Sequence, residues 1–199
     1  MITLPPMTDA DRNQRIAGHV RAILELLGVD PGVDREVDGT PERVAELAVE
    51  LTSGLAAMMP ITVLPDTTSG QGLVIVRDLP FHSICAHHLL PFFGRAHIGY
   101  VPGTGVVGIG TIGRVLDHFA RRPQLQERLG EQIAECLERE AGARGAIVLL
   151  EARQMCMEMR GGRKSGTVES TAARGLLSEG ALRREFLDRV LANRQAASE

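Results

Sequence analysis

Ser83-Ile-Cys-Ala-His-His-Leu-Leu-Pro-Phe-Phe-Gly94 runs directly into Arg95-Ala-His-Ile-Gly-Tyr-Val101. The second piece predicts a strand, closed by Pro102 and Gly103, residues that punctuate regular structure. The first is dense in His, Cys and Pro and predicts a loop or irregular turn. Just upstream, the apolar run Leu73 to Val76 predicts a short strand. Strand segments around a reactive turn form the centre from which the rest is read.

Downstream, Ile109, Ile112, Val115, Leu116 and Phe119 share one helical face. A second helix is expected from near Pro123, carrying Leu125, Leu129, Ile133 and Leu137. Ala146 to Ala152 and Met155 to Met159 predict strands, and Ser178 to Ala192 a closing helix. Upstream, Ile16, Val20, Ile23, Leu24 and Leu27 predict a helix over 12–28, ended by Gly28. A second helix is expected from Thr40 as N-cap, with Pro41 at its first position, to Gly54. Segment 56–71 has several breakers and little periodicity, so it is the candidate linker. The organisation expected is an N-terminal helical arm, 1–60, and a second domain, 61–199. Helices mixed with short strands, without a regular βαβ alternation, argue for an α+β fold.

A chain of 199 residues holds one domain or two. Hydrophobic residues make up 44% and charged residues 24%, which excludes disorder as the default state. With 22 basic and 25 acidic side chains the net charge is -3, too balanced to point to nucleic acid or an anionic membrane. Aromatics are 3%, with no Trp, which argues against a stacking platform for single strands. No apolar run reaches the ~18 residues of a membrane span, and no secretory signal is visible. Three cysteines, an odd and low number, suit a reducing cytosol. A cytoplasmic protein is expected.

Chemistry concentrates at Cys85-Ala86-His87-His88. Cys85 and His88 form a C-x-x-H pair. A catalytic zinc centre takes three protein ligands and leaves a position for water. Cys156 is the natural candidate for the third. On a strand over 155–159, Met155, Met157 and Met159 would share one face, and Gln154, Cys156 and Glu158 the other. Pattern alone leaves a second reading open, in which Cys85 and Cys156 are small buried hydrophobes. Cys136 lies near an apolar helical stripe and fits core packing. Glu127 sits roughly 200° around its helix from Leu125, as a solvated face would place it. Arg114, Arg121 and Arg122 likewise fit a charged surface.

Thr40-Pro-Glu-Arg-Val-Ala45, Ser83 to Gly94, Ala120-Arg-Arg-Pro-Gln-Leu-Gln-Glu-Arg-Leu129 and Met155-Cys-Met-Glu-Met-Arg-Gly161 occur in this order. In all four the chain resembles the GTP cyclohydrolase I family, from about residue 12 to the last helix. The resemblance implies a tunnelling (T-fold) architecture, an antiparallel sheet with paired helices, assembled as a homodecamer. It implies opening of the GTP imidazole ring, release of C8 as formate and closure to dihydroneopterin triphosphate, on the way to folates and pterins. Cys85, His88 and Cys156 match zinc ligands and His87 the catalytic histidine. Glu127 matches the acid that binds the guanine edge across a subunit boundary. Arg114, Arg160 and Arg43 match basic residues near the triphosphate, with Lys164 a further cation there.

Five positions depart from the family pattern. Ala86 replaces a Glu, Gly110-Thr111 a Ser-Lys pair, Glu46 a Lys, and Gln154 a His. A Gln cannot titrate, and a missing general acid or base costs about 10²–10⁴-fold. Two alternatives therefore accompany the main expectation of a zinc-dependent GTP cyclohydrolase. One is a divergent enzyme that stops at a formamidopyrimidine nucleotide or takes another purine. The other is a non-catalytic purine-binding regulatory paralogue. A thiol-nucleophile enzyme of the same architecture is weaker, since Cys85 and Cys156 are better explained as ligands.

Overall fold

The computed structural model describes residues 7–58, 60–65 and 72–196. Its contacts divide the chain into two units, Met1–Ser53 and Gly54–Glu199.

In the first unit, helix α1 (Asp9–Leu26) starts where the Thr8 hydroxyl accepts the Asp11 N–H, with Asp9 and Asp11 at the positive end of the helix dipole. Helix α2 (Thr40–Leu51) begins one residue earlier than the sequence suggested. Gly39, at φ 71°, is its N-cap, and the Thr40 hydroxyl instead accepts Arg43 Nη2 at 2.8 Å. A left-handed residue suits glycine, and the ring of Pro41 tolerates the first turn. The two helices pack through small residues, Ala17 and Ala45, and an Arg21–Glu42 ion pair at 3.3 Å. Ile23 and Leu27, expected on the packed stripe, are 56% and 73% exposed.

The second unit is built on a five-stranded sheet of order β5-β2-β3-β6-β7. Strands β2 (Val74–Cys85), β3 (Pro91–Val101), β6 (Gly145–Gln154) and β7 (Thr167–Gly175) are antiparallel neighbours. The two-residue β5 (Pro123–Gln124) runs parallel to the end of β2. A separate ribbon pairs β1 (Val63–Pro65) with β4 (Gly105–Val107), so the expected linker 56–71 contains a strand; its residues 59 and 66–71 lie outside the described residues.

Alternation along the strands gives each sheet face its own helices. Ala96, Ile98 and Tyr100 of β3, with Val148 and Leu150 of β6, pack on α3 (Ile109–Ala120) and α4 (Gln126–Arg139). Val101, Ile147 and Leu149 face α6 (Gly180–Ala196) through Phe186 and Val190. Gly99 makes room there, since a Cβ would lie 2.6 Å from the Phe186 ring. This is the α+β architecture, an antiparallel sheet with a helix pair on it, that the resemblance implied. Among the described residues no helix is long and apolar enough to cross a membrane.

Three local expectations are corrected. Residues 83–94 are a hairpin rather than a loop, for β2 reaches Cys85 and β3 starts at Pro91. Pro123 belongs to β5, and the helix after it starts at Gln126. Residues 155–159 are not a strand: Met155–Glu158 form a helical turn, α5. The β3–β6 ladder ends at Phe92–Gln154 and the β6–β7 ladder at Arg153–Thr167. Beyond Gln154 neither neighbour offers a partner. The backbone therefore bonds to itself, Met159 N–H to the Met155 carbonyl at 2.9 Å.

Candidate functional site

The β2–β3 turn is closed at both ends by backbone bonds. The Leu89 N–H donates to the Cys85 carbonyl at 2.9 Å, and the Cys85 N–H to the Leu90 carbonyl at 2.8 Å. One helix-like turn of this kind puts residues three apart on one side, as Cys85 and His88 are. Leu89 is held at φ 55°, a left-handed conformation that leucine adopts only at a cost. The Cys85 side chain is buried in the main core, while His87 and His88 are exposed. His87 Nδ1 stands 3.9 Å from Cys85 Sγ, and the two imidazoles meet edge-on at 6.3 Å between centroids.

Cys156, half-buried on α5, packs against the same core cluster as Cys85. Burial pushes its thiol pKa up, and the hydrogen bond and charge of Cys85 push it further; a backbone hydrogen bond and the Arg160 charge act the other way. The structure thus brings Cys85 and Cys156 together, with His87 at their edge. Among the described residues it does not gather three or more His, Cys, Asp or Glu side chains as a metal-holding group. His88 lies on the same turn, exposed.

The same corner receives the start of α4. Through β5, Cys85 pairs with Gln124, and the Ala86 N–H donates to the Gln124 carbonyl at 2.9 Å. The buried Gln124 amide is fully used. Its Nε2 donates to the Phe119 carbonyl at 3.0 Å and to Gln132 Oε1 at 2.8 Å, and its Oε1 accepts the Leu125 N–H at 3.2 Å. Gln126, also buried, donates from Nε2 to the carbonyls of Leu150 at 3.1 Å and Val168 at 2.9 Å. Its Oε1 accepts Gln154 Nε2 at 2.7 Å. The Gln126 side chain ties the first turn of α4 to β6 and β7, Gln124 joins it to the end of β2 through its backbone, and Glu127 is left exposed beside them. Neither glutamine was singled out from the sequence. The signal available was two amides flanking Leu125 in an otherwise apolar register.

Arg114, exposed on α3, donates from Nη2 to the Thr111 hydroxyl at 2.9 Å, and Thr111 is only 4% exposed. Space is open at Gly110, where a Cβ would meet nothing. Arg160 and Lys164 are exposed in the loop after α5. Arg43 belongs to the first unit, bonded to Thr40.

The donor set suits zinc: two neighbouring cysteines with ionisable sulfurs and imidazoles on the adjoining turn, at a corner where three elements end. Cys136 does not take part. It is buried near Met58, and burial together with the Glu140 charge raises its thiol pKa to about 11.

A family model described as GTP cyclohydrolase I matches residues 16–191. Among curated relatives, a GTP cyclohydrolase 1 of Bifidobacterium longum is 46% identical over 177 residues, covering 86% of this chain and 87% of that one. One from Campylobacter jejuni subsp. doylei is 42% identical, covering 88% and 94%. One from Leifsonia xyli subsp. xyli is 44% identical, covering 91% and 96%.

Proposed function

The chain belongs to the GTP cyclohydrolase I family, and from that premise we propose how its residues carry the reaction. Its activity is GTP cyclohydrolase I-like, that of a hydrolase acting on GTP. The finer reading is that Cys85, His88 and Cys156 hold one zinc ion beside the nucleotide's C8. The observation that carries it is the contact between the Cys85 and Cys156 thiols where β2, α4 and α5 converge. Zinc bound there would supply Lewis acidity that makes a water nucleophilic at neutral pH.

The chain's own residues do the rest. The Glu127 carboxylate accepts the guanine N1–H and the exocyclic amino group, fixing the base in the attack geometry. His87 gives a proton to N7 as water adds to C8, and the C8–N9 bond then breaks, its electron pair and a proton going to N9, so that the imidazole ring opens to a formamide. Arg114 and Arg160 face the phosphates. Gln154, held by Gln126, offers an amide to the opened formamide and carries no proton.

The Gln154–Gln126 amide pair favours a second reading of the end point, in which ring opening outpaces formate release. Incubation with GTP and analysis of products by pterin fluorescence and mass tests it. Dihydroneopterin triphosphate at a rate unaffected by Gln154→His rejects early release; a formamidopyrimidine nucleotide that Gln154→His converts to pterin supports it. Metal analysis of Cys156→Ala tests the zinc reading, which full occupancy in that variant would overturn.

Self-association, as a decamer in the family pattern, completes the proposal. The nine-residue β7 has a strand partner on one side only among the described residues. Such an edge suits pairing with another copy.

A further inference from the structure

Arg153 and Glu158 bracket the segment that carries Gln154 and Cys156. Arg153 is the penultimate residue of β6 and Glu158 the last of α5. Two N–H···O bonds join them side by side, Nε to Oε1 at 3.0 Å and Nη2 to Oε2 at 2.5 Å. The carboxylate is 12% exposed and the guanidinium 55%. The guanidinium also lies 5.9 Å over the Phe93 ring, whose other neighbour is His82, stacked at 5.9 Å. Glu158 accepts the backbone N–H of Gly166 as well. The Lys164 N–H reaches back to the Met157 carbonyl at 3.3 Å. One carboxylate therefore ties the end of β6, the turn bearing Cys156 and the return of the basic 159–166 loop.

That turn has little else to hold it. A four-residue helix lies far below the length at which helices are stable alone. Its N-cap, Gln154, makes no side-chain capping bond, because its amide is turned to Gln126. We infer that the Arg153–Glu158 pair is a positioning staple, keeping Cys156 beside Cys85 and presenting Arg160 and Lys164 to the nucleotide's phosphates. The inference rests on the proposed roles of Cys156 and Arg160. A fork-to-fork pair fixes orientation as well as distance, which one-point contacts do not. Neither residue touches the metal or the reacting atoms, so both act through their neighbours.

The experiment uses the zinc-loaded full chain and compares Glu158→Gln, Arg153→Gln and the reversed pair Arg153→Glu with Glu158→Arg. Zinc release to a chromophoric chelator, KM and kcat for GTP, and thermal melting are measured together. Each single variant is expected to release zinc about 10-fold faster, the low end of the usual effect of residues that orient ligands. Each should also raise KM for GTP several-fold, with kcat and the melting midpoint nearly unchanged. The reversed pair should recover most of both losses. Unchanged release and KM in the single variants would overturn the staple, as would a reversed pair no better than either single change. Cys156→Ala separates the underlying reading: if it keeps its zinc, Cys156 is not a ligand, and the staple stands or falls on KM alone.

Discussion

His87 and His88 are adjacent and both exposed, yet the proposed chemistry needs them to differ. In it one would hold a metal with a neutral ring nitrogen, and the other would move a proton. His88→Ala should therefore lose most of its zinc together with its turnover. His87→Ala should keep zinc at one per chain and lose roughly 10²–10⁴-fold in kcat, the usual worth of a general acid or base. Metal content and kcat measured on the same preparations check the assignment. The opposite pattern, zinc lost in His87→Ala, would exchange the two roles, an outcome His87 Nδ1 at 3.9 Å from Cys85 Sγ makes worth measuring. Cys136 gives a second contrast among single residues. A raised pKa means that the folded chain keeps the proton, so at pH 8 the thiolate is scarce and alkylation slow. With a value of about 11 and a buried side chain, Cys136 should react with iodoacetamide after Cys156 in zinc-free protein, as peptide mass mapping would show. The same sign makes its contribution to stability complete below the unfolded thiol's pKa. That contribution fades as pH rises toward 11, and Cys136→Ala should flatten the alkaline fall in melting temperature.

Helices and strands were legible where their hydrophobic period was long. Ile112, Val115 and Leu116 do face the sheet from α3, and Ala146 to Ala152 do form the centre of β6. What misled was local pattern without a partner. Met155, Met157 and Met159 alternate as a strand would, but strand formation depends on a neighbour to bond with, and both ladders stop short of them. The reverse error fell on residues 83–94. Their His, Cys and Pro content masked a hairpin in which Ser83 pairs with Phe92 and Ile84 with Pro91, and whose outer edges are completed by the distant β5 and β6. Of the candidate site, the Cys and His residues were visible as a motif. The glutamines that orient the corner were not, because a buried amide is recognised only by the carbonyls it meets. The α6 element carries its own test. Phe186 is fully buried over Gly99 and Ile147, on the sheet face opposite α3 and α4. Phe186→Ala should cost about 3–5 kcal/mol, lowering the melting midpoint by roughly 10 °C. KM for GTP should hold, since none of the residues proposed for the nucleotide site lies on α6.

At the scale of the whole molecule, the question is whether one chain makes a complete site. Glu127 and the Cys85–Cys156 corner stand on different elements, and the buried neighbours of Glu127 on α4 (Gln126, Leu129 and Gly130) face the chain's own sheet while Glu127 turns outward. A carboxylate turned away from its own core is available to a nucleotide held by another copy. If sites are shared in this way, two inactive variants should complement each other. Glu127→Gln retains the metal corner, and Cys156→Ala retains the carboxylate. Mixed under conditions that exchange subunits, equal amounts should regain about a quarter of wild-type turnover, because in a closed symmetric ring one random pairing in four joins an intact corner to an intact Glu127. Sites contained within single chains would regain nothing, whatever the mixing ratio. Light scattering on the same samples fixes the state in which exchange occurs, and a monomer that is fully active would exclude sharing outright. Varying the ratio sharpens the result: shared sites give a recovery that peaks at equal amounts and falls symmetrically on either side, since each restored site needs one subunit of each kind.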